Sequence, residues 1–140
     1  MSGEEKITFN FDQSAVVPFR RIDGLIQVLL ITSLRKKKWI VPKGYVEFNL
    51  HPFESAKKEA YEEAGVTGTN ETIELGFYKK EKSAGVVSVR VYSMEVLKVL
   101  EEFPEKKLRK RKWFSVEEAI TTIEVPEIVE MIKNLPHKIK

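Results

Sequence analysis

An α/β fold, with a mixed β-sheet sandwiched between helices, is what this 140-residue chain predicts. Strand-like segments lie on both sides of one central amphipathic helix. A glycine turn leads into that helix, and two further helix signals follow near the C-terminus. Ile7-Thr8-Phe9-Asn10-Phe11 alternates apolar and polar residues and reads as a half-buried strand. Residues 14–20 and 25–32 read as the next two strands, joined at Asp23-Gly24, a dipeptide that tolerates positive φ. Trp39-Ile40-Val41 is a further short apolar run, followed by Pro42-Lys43-Gly44 as a loop. Pro52 suits the first turn of a helix, where its missing N–H would have no partner anyway, and Gly65 suits the left-handed residue that ends one. Beyond the helix, residues 72–80 and 86–97 read as strands around a turn at Lys82-Ser83-Ala84-Gly85, and 110–114 as a short strand. Ser115 with Glu118 three residues on forms a capping box for a helix through Thr122. Pro126 opens a last helix expected to end near Asn134.

The length supports one domain over 1–140, burying roughly two-thirds of its unfolded surface. Glu4, Glu5 and Lys6 stand where a secretory signal would need an apolar core, and the longest apolar run, Val28-Leu29-Leu30-Ile31, is far too short to span a bilayer. The absence of cysteine excludes a disulfide framework and a thiolate nucleophile, and a cytoplasmic location is expected. The net charge of +3 is unevenly spread: bases gather at 35–38 and 106–112, acids at 59–63 and at Glu101-Glu102. Such basic runs steer a small molecule that carries several phosphates. Each run ends in a single tryptophan, without the interleaved aromatics of a base-stacking platform, so nucleic acid is disfavoured as a partner. Trp39 and Trp113 are expected in the core rather than against a ligand, and the isolated His51 and His137 receive no role. Oligomeric state is not legible at this level.

The central helix carries the chemistry. At 100° per residue, Glu59, Glu62 and Glu63 fall within an arc of roughly 100°, while Phe53, Ala56, Ala60 and Ala64 fall on a separate arc that can bury. Clustered carboxylates repel unless a proton or a cation sits between them, and hard oxygen ligands suit Mg²⁺ or Mn²⁺. A plain solvated acidic face is the competing reading. The order of strand, glycine loop, helix and stop around the carboxylates favours a site.

That segment resembles the signature of the Nudix hydrolases: a glycine, five residues, a glutamate, seven residues, then Arg-Glu-apolar-any-Glu-Glu-any-Gly-apolar. Gly44 matches the opening glycine, Glu59 the first helix glutamate and Glu62-Glu63 the pair, with Ala60, Gly65 and Val66 completing the frame. Leu50 stands where the loop glutamate is expected, and Lys58 where the arginine is. Val17-Pro18-Phe19-Arg20-Arg21, residues 25–33, Arg35 to Trp39 and Arg109 to Phe114 look like the branch that hydrolyses diphosphoinositol polyphosphates and diadenosine polyphosphates. The resemblance implies an α/β/α sandwich and Mg²⁺ (Mn²⁺ as the alternative) held by Glu59, Glu63 and a backbone carbonyl of the Lys43-Gly44 turn, entered here as Gly44. A water is expected to attack one phosphorus of a diphosphate, and Glu62, offset around the helix from Glu59 and Glu63, is the candidate to take its proton, a role that differs among glutamates across the family. Lys43 and the arginines Arg20, Arg35, Arg109 and Arg111 are the expected phosphate holders. A further metal ligand is expected from Glu47, Glu81, Glu95, Glu102 or Glu105, among which the sequence does not choose. The alternative is a catalytically weak module of the same fold that binds nucleotide or RNA.

Overall fold

The computed structural model describes residues 12–83 and 85–139; the strand expected at 7–11 lies outside the described residues. In chain order the elements are β1 (Gln13–Ile22), β2 (Leu25–Thr32), β3 (Trp39–Ile40), β4 (Lys43–Tyr45), α1 (Pro52–Ala64), β5 (Val66–Gly68), β6 (Glu74–Lys82), β7 (Gly85–Val99), β8 (Arg111–Ser115), α2 (Val116–Thr122) and α3 (Pro126–Lys138). Among the described residues these strands make one sheet with the order β3-β2-β1-β7-β5, while β4 pairs with β1, β6 with β7 and β8 with β2. The β1–β7 pair is parallel, from Gln13↔Val89 to Phe19↔Glu95, and the other pairs are antiparallel, so the sheet is mixed as expected.

Strand alternation sorts the apolar residues into two cores. Val16 on β1 and Leu29 and Ile31 on β2 face α1, meeting Phe53, Ala56, Ala60 and Ala64. Their neighbours Ala15, Val17, Phe19, Val28 and Leu30 face the other way, onto Ala119, Ile128, Ile132 and Leu135 of α2 and α3. The result is the α/β/α sandwich. The alanines on α1 matter here, because a helix with small residues on its buried side can lie close to the sheet and bring its glutamates to a strand backbone. Trp39 and Trp113 are half-buried against the two cores, as expected; Trp39 meets Phe114 edge-on at 5.1 Å.

Several boundaries moved, each for a visible reason. β5 is a short strand that the sequence did not announce, for three residues carry no periodicity; it pairs with the far end of β7, as in Val66↔Val99. The Gly44 loop is itself a strand, fixed to β1 through Ser14↔Gly44 and Ala15↔Lys43. α3 passes Asn134 and carries Pro136 inside its last turn, because the buried Leu135 and Ile139 draw that turn onto the core. His51, without a role in the sequence reading, is the N-cap of α1, with Nδ1 accepting from the Phe53 N–H at 3.1 Å. The capping box of α2 forms in both directions at 3.0 Å. Among the described residues no helix is long and apolar enough to cross a membrane.

Gly65 ends α1 with φ 67° and ψ 39°. A Cβ there would sit 2.3 Å from Phe103 Cδ1 and 2.7 Å from Arg111 Nη1. Gly65→Ala is therefore expected to destabilise the fold by roughly 1–3 kcal/mol through left-handed strain and overpacking, read as a lower urea midpoint at unchanged slope; an unaltered midpoint contradicts this account of the stop.

Candidate active site

The site begins with a close approach. A Cβ on Gly44 would lie 2.4 Å from Glu59 Cδ and 2.5 Å from its Oε2, so the carboxylate occupies the space that any other side chain at 44 would need. One turn further along α1, Glu63 is buried, and its Oε1 accepts from the Lys43 N–H at 3.3 Å. The two carboxyls lie close enough to act on each other's titration. Burial pushes the Glu63 carboxyl up to about 8, with the neighbouring Glu59 adding to the rise and the Arg109 guanidinium opposing it. Glu59 is raised too, first by burial and then by the charges of Glu62, Glu47 and Glu105. A cation between the two carboxyls would offset their repulsion as a proton does.

Does this donor set fit a divalent ion? Among the described residues no group of three or more His, Cys, Asp or Glu stands together as a cage. The side-chain donors are two hard carboxylates, beside the backbone of Lys43-Gly44. Mg²⁺ is commonly bound in that way, through one or two carboxylates with water and substrate phosphate completing the octahedron. The set therefore fits Mg²⁺ or Mn²⁺. Glu62, the third glutamate of the arc, is half-buried and near enough for its charge to act on Glu59; among the described residues its carboxylate accepts no hydrogen bond, although its carbonyl accepts from the Glu105 N–H at 3.0 Å.

Arg109 was expected at a phosphate, and its guanidinium is already tied to three segments. Nη2 lies 3.8 Å from Glu63 Oε2, Nε is 2.8 Å from Glu105 Oε1, and Nη1 donates to the Thr32 carbonyl at 3.1 Å. It braces Glu63 from the side opposite Lys43. Of the five glutamates that the sequence left open as further ligands, Glu47 and Glu105 carry charge close enough to act on Glu59. Glu95 is engaged by Arg21 and Glu102 by Lys106, each at 2.9 Å.

Both departures from the signature have a local explanation. Lys58 pairs with Glu47 at 3.0 Å, so the loop carboxylate missing at Leu50 is supplied three residues earlier. Ser55, fully buried, fastens this loop to α1: its Oγ accepts from the Glu47 N–H at 3.2 Å and donates to the Tyr45 carbonyl at 3.3 Å. Nothing in the spacing of the signature announces Ser55 or Glu47.

A cleft of about 870 Å³ opens beside the carboxylates. Arg35, Lys43 and Arg109 line it, together with Lys38, Lys80 and Lys82. Burial, then Lys80 and Lys82, lower the Lys43 ammonium to about 8. Lys80 and Lys82 escaped the sequence reading; their signal was the alternation Tyr78, Lys80, Lys82, which puts them on one face of β6. Arg20 and Arg111 are not brought to the cleft. Arg20 lies about 20 Å along β1 from the Gly44 pairing, stacked 4.1 Å over Trp113 and bonded to Gln27 at 2.8 Å. Arg111 donates to the carbonyls of Ala64, Gly65 and Leu100 at 2.8, 3.3 and 2.7 Å, capping the end of α1.

Comparison with known proteins agrees with this geometry. The NUDIX domain family matches residues 11–135. The chain is 35% identical over 128 residues to Nudix hydrolase 16, mitochondrial, of Arabidopsis thaliana, covering 79% of this chain and 71% of that protein. It is 38% identical over 101 residues to diphosphoinositol polyphosphate phosphohydrolase 2 of Rattus norvegicus, covering 70% and 55% respectively. The chain spans about half the length of most of the curated relatives it matches. The crystal structure of a C. elegans Ap4A hydrolase superposes with a TM-score of 0.72 at 20% identity, over 91% of this chain and 97% of that one, a likeness of fold. With the glycine turn, the paired helix glutamates and a family match over nearly the whole length, this chain belongs to the NUDIX domain family.

Proposed function

We propose that this protein is a Mg²⁺-dependent hydrolase that cleaves a phosphoanhydride in a small molecule carrying several phosphates, with diphosphoinositol polyphosphates and diadenosine polyphosphates favoured. The observation that carries the reading is the pair Glu59/Glu63: Glu59 packs against Gly44, and Glu63 meets Lys43 and Arg109, two residues that also line a cleft rich in lysine and arginine. A pure binding module gains nothing from self-repelling, partly buried carboxylates beside an anion site. The relatives' names support the substrate class.

When bound, Mg²⁺ supplies Lewis-acid stabilisation of the charge that develops on the phosphoryl oxygens and lowers the pKa of attacking water. Glu59 and Glu63 are the residues that hold it, with a backbone carbonyl of the Lys43-Gly44 turn. Glu63 is kept in place by the Lys43 N–H on one side and Arg109 on the other, and Arg109 in turn by Thr32 and Glu105. Glu62 takes the proton of the attacking water in this reading, a role supported by a carboxylate that accepts no hydrogen bond among the described residues. Arg35 and Lys43 hold phosphates away from the bond being broken, a role supported by their lining the cleft.

Glu62→Gln is expected to lower kcat by about a hundredfold or more with the fold intact, measured as Mg²⁺-dependent product release from a panel of diphosphate compounds. Wild-type rates in that variant reassign the base, and tight binding with no turnover by the wild type on any compound favours the binding-module reading. Mn²⁺ at about a hundred times its dissociation constant is expected to stabilise the protein by about 2.7 kcal/mol, read by thermal unfolding. The gain should vanish in Glu63→Gln. It should also shrink in Gly44→Ala, where only the end of a flexible side chain has to move, so the fold survives while Glu59 is displaced.

A further inference from the structure

β4 acts as a thin wall. Its backbone meets the carboxylates on the α1 side, where the Lys43 N–H reaches Glu63. Its side chains Lys43 and Tyr45 stand on the other side, because they pair with Ala15 and Gln13 and so share their face of the sheet. Across β1 and β7 the register carries that face to β6: Gln13 pairs with Val89 and Val89 with Tyr78, which puts Tyr78, Lys80 and Lys82 on the same side. Lys43 and Lys80 line the same cleft, close enough for the charge of one to act on the other. Lys82 Nζ lies 3.3 Å from the Tyr45 hydroxyl and 5.2 Å from the centre of its ring. Of the other cations of the cleft, Lys38 has Glu124 at 2.7 Å and Arg109 has Glu105 at 2.8 Å, while Arg35, Lys36 and Lys79 line it farther along without an ion pair among the described residues. Among the described residues no ion pair joins Lys43, Lys80 or Lys82 to an acid.

Cations that gather on one face, in no ion pair with an acid among the described residues, are held against their own repulsion by the sheet register. An anion between them removes that cost. We propose that Lys43, Lys80 and Lys82, with the Tyr45 hydroxyl, form a phosphate subsite on the face of β4 opposite the carboxylates, which takes a substrate phosphate other than the one attacked and needs no divalent ion to do so. The subsite rests on the reading of the cleft as a polyphosphate site. Three ammonium groups and a hydroxyl converging from two strands suit the dispersed charge of a tetrahedral phosphate, whereas a flat carboxylate engages a planar guanidinium better. A substrate with one phosphate at the carboxylates and the next on the lysines straddles the edge of β4 that pairs with no other strand among the described residues, so spacing between phosphates becomes the quantity this site measures.

The test is calorimetric titration with inorganic tripolyphosphate in EDTA at low salt. The wild type is expected to bind. Lys80→Gln/Lys82→Gln should bind at least about tenfold more weakly, the loss of two charge-assisted contacts. Glu63→Gln should keep wild-type affinity. Lys57→Gln/Lys98→Gln, which removes the same charge from lysines outside the cleft, should lose less than about twofold. No binding by the wild type, an equal loss in the remote pair, or an equal loss in Glu63→Gln each overturns the subsite. Its fate separates from that of the hydrolase reading: if tripolyphosphate binds as expected while no diphosphate compound is turned over with Mg²⁺, the hydrolase falls and the subsite stands. If turnover is metal-dependent and Lys80→Gln/Lys82→Gln binds like the wild type, the subsite falls alone.

Discussion

The approach of Glu59 to Gly44 is the contact on which the rest depends. A carboxylate can occupy that space only because residue 44 has no side chain, and it can reach it only because α1 lies close to the sheet on its alanines. Once Glu59 is there, Glu63 one turn later meets the Lys43 backbone and is taken out of water. Burial that would ordinarily neutralise a lone carboxyl here creates a demand for positive charge that the folded chain itself only partly meets through Arg109.

Electrostatic division of labour follows from strand geometry. On one side of β4 acids are gathered; on the other, bases. The two sets stay apart because successive side chains of β1, β4, β6 and β7 alternate between faces, and the face toward α2 and α3 opens into the cleft. Lys43 belongs to both sides, with its N–H on Glu63 and its ammonium among the cleft lysines. A shift of register by one residue in β4 would break both arrangements together.

What could be seen in the residues beforehand was what has local cause. Pro52, Gly65 and the Ser115/Glu118 box mark helix ends through the chemistry of a single turn, and each stands where expected. The sandwich was legible because alternation and helical periodicity each leave a trace over eight or more residues. Gly44, Glu59 and Glu63 converge as their spacing suggested. The misses come from tertiary pairing: β5 is too short to have a period, His51 caps through a ring nitrogen that propensity does not favour, and the roles of Arg20 and Arg111 depend on Trp113 and on the carbonyls at the end of α1. Glu47, Glu105, Lys80 and Lys82 reach the site from separate segments, and a linear pattern cannot say which segments meet.

The three bonds of Arg109 have a temporal meaning. Thr32, Glu63 and Glu105 lie on stretches of chain that must all have docked before the guanidinium can span them, and the parallel β1–β7 pair closes a loop of more than half the polypeptide. Such long-range closure belongs late in folding. An immature or locally opened molecule therefore lacks the brace on Glu63, and the arrangement of carboxylates and cations is complete only as the last segments seat.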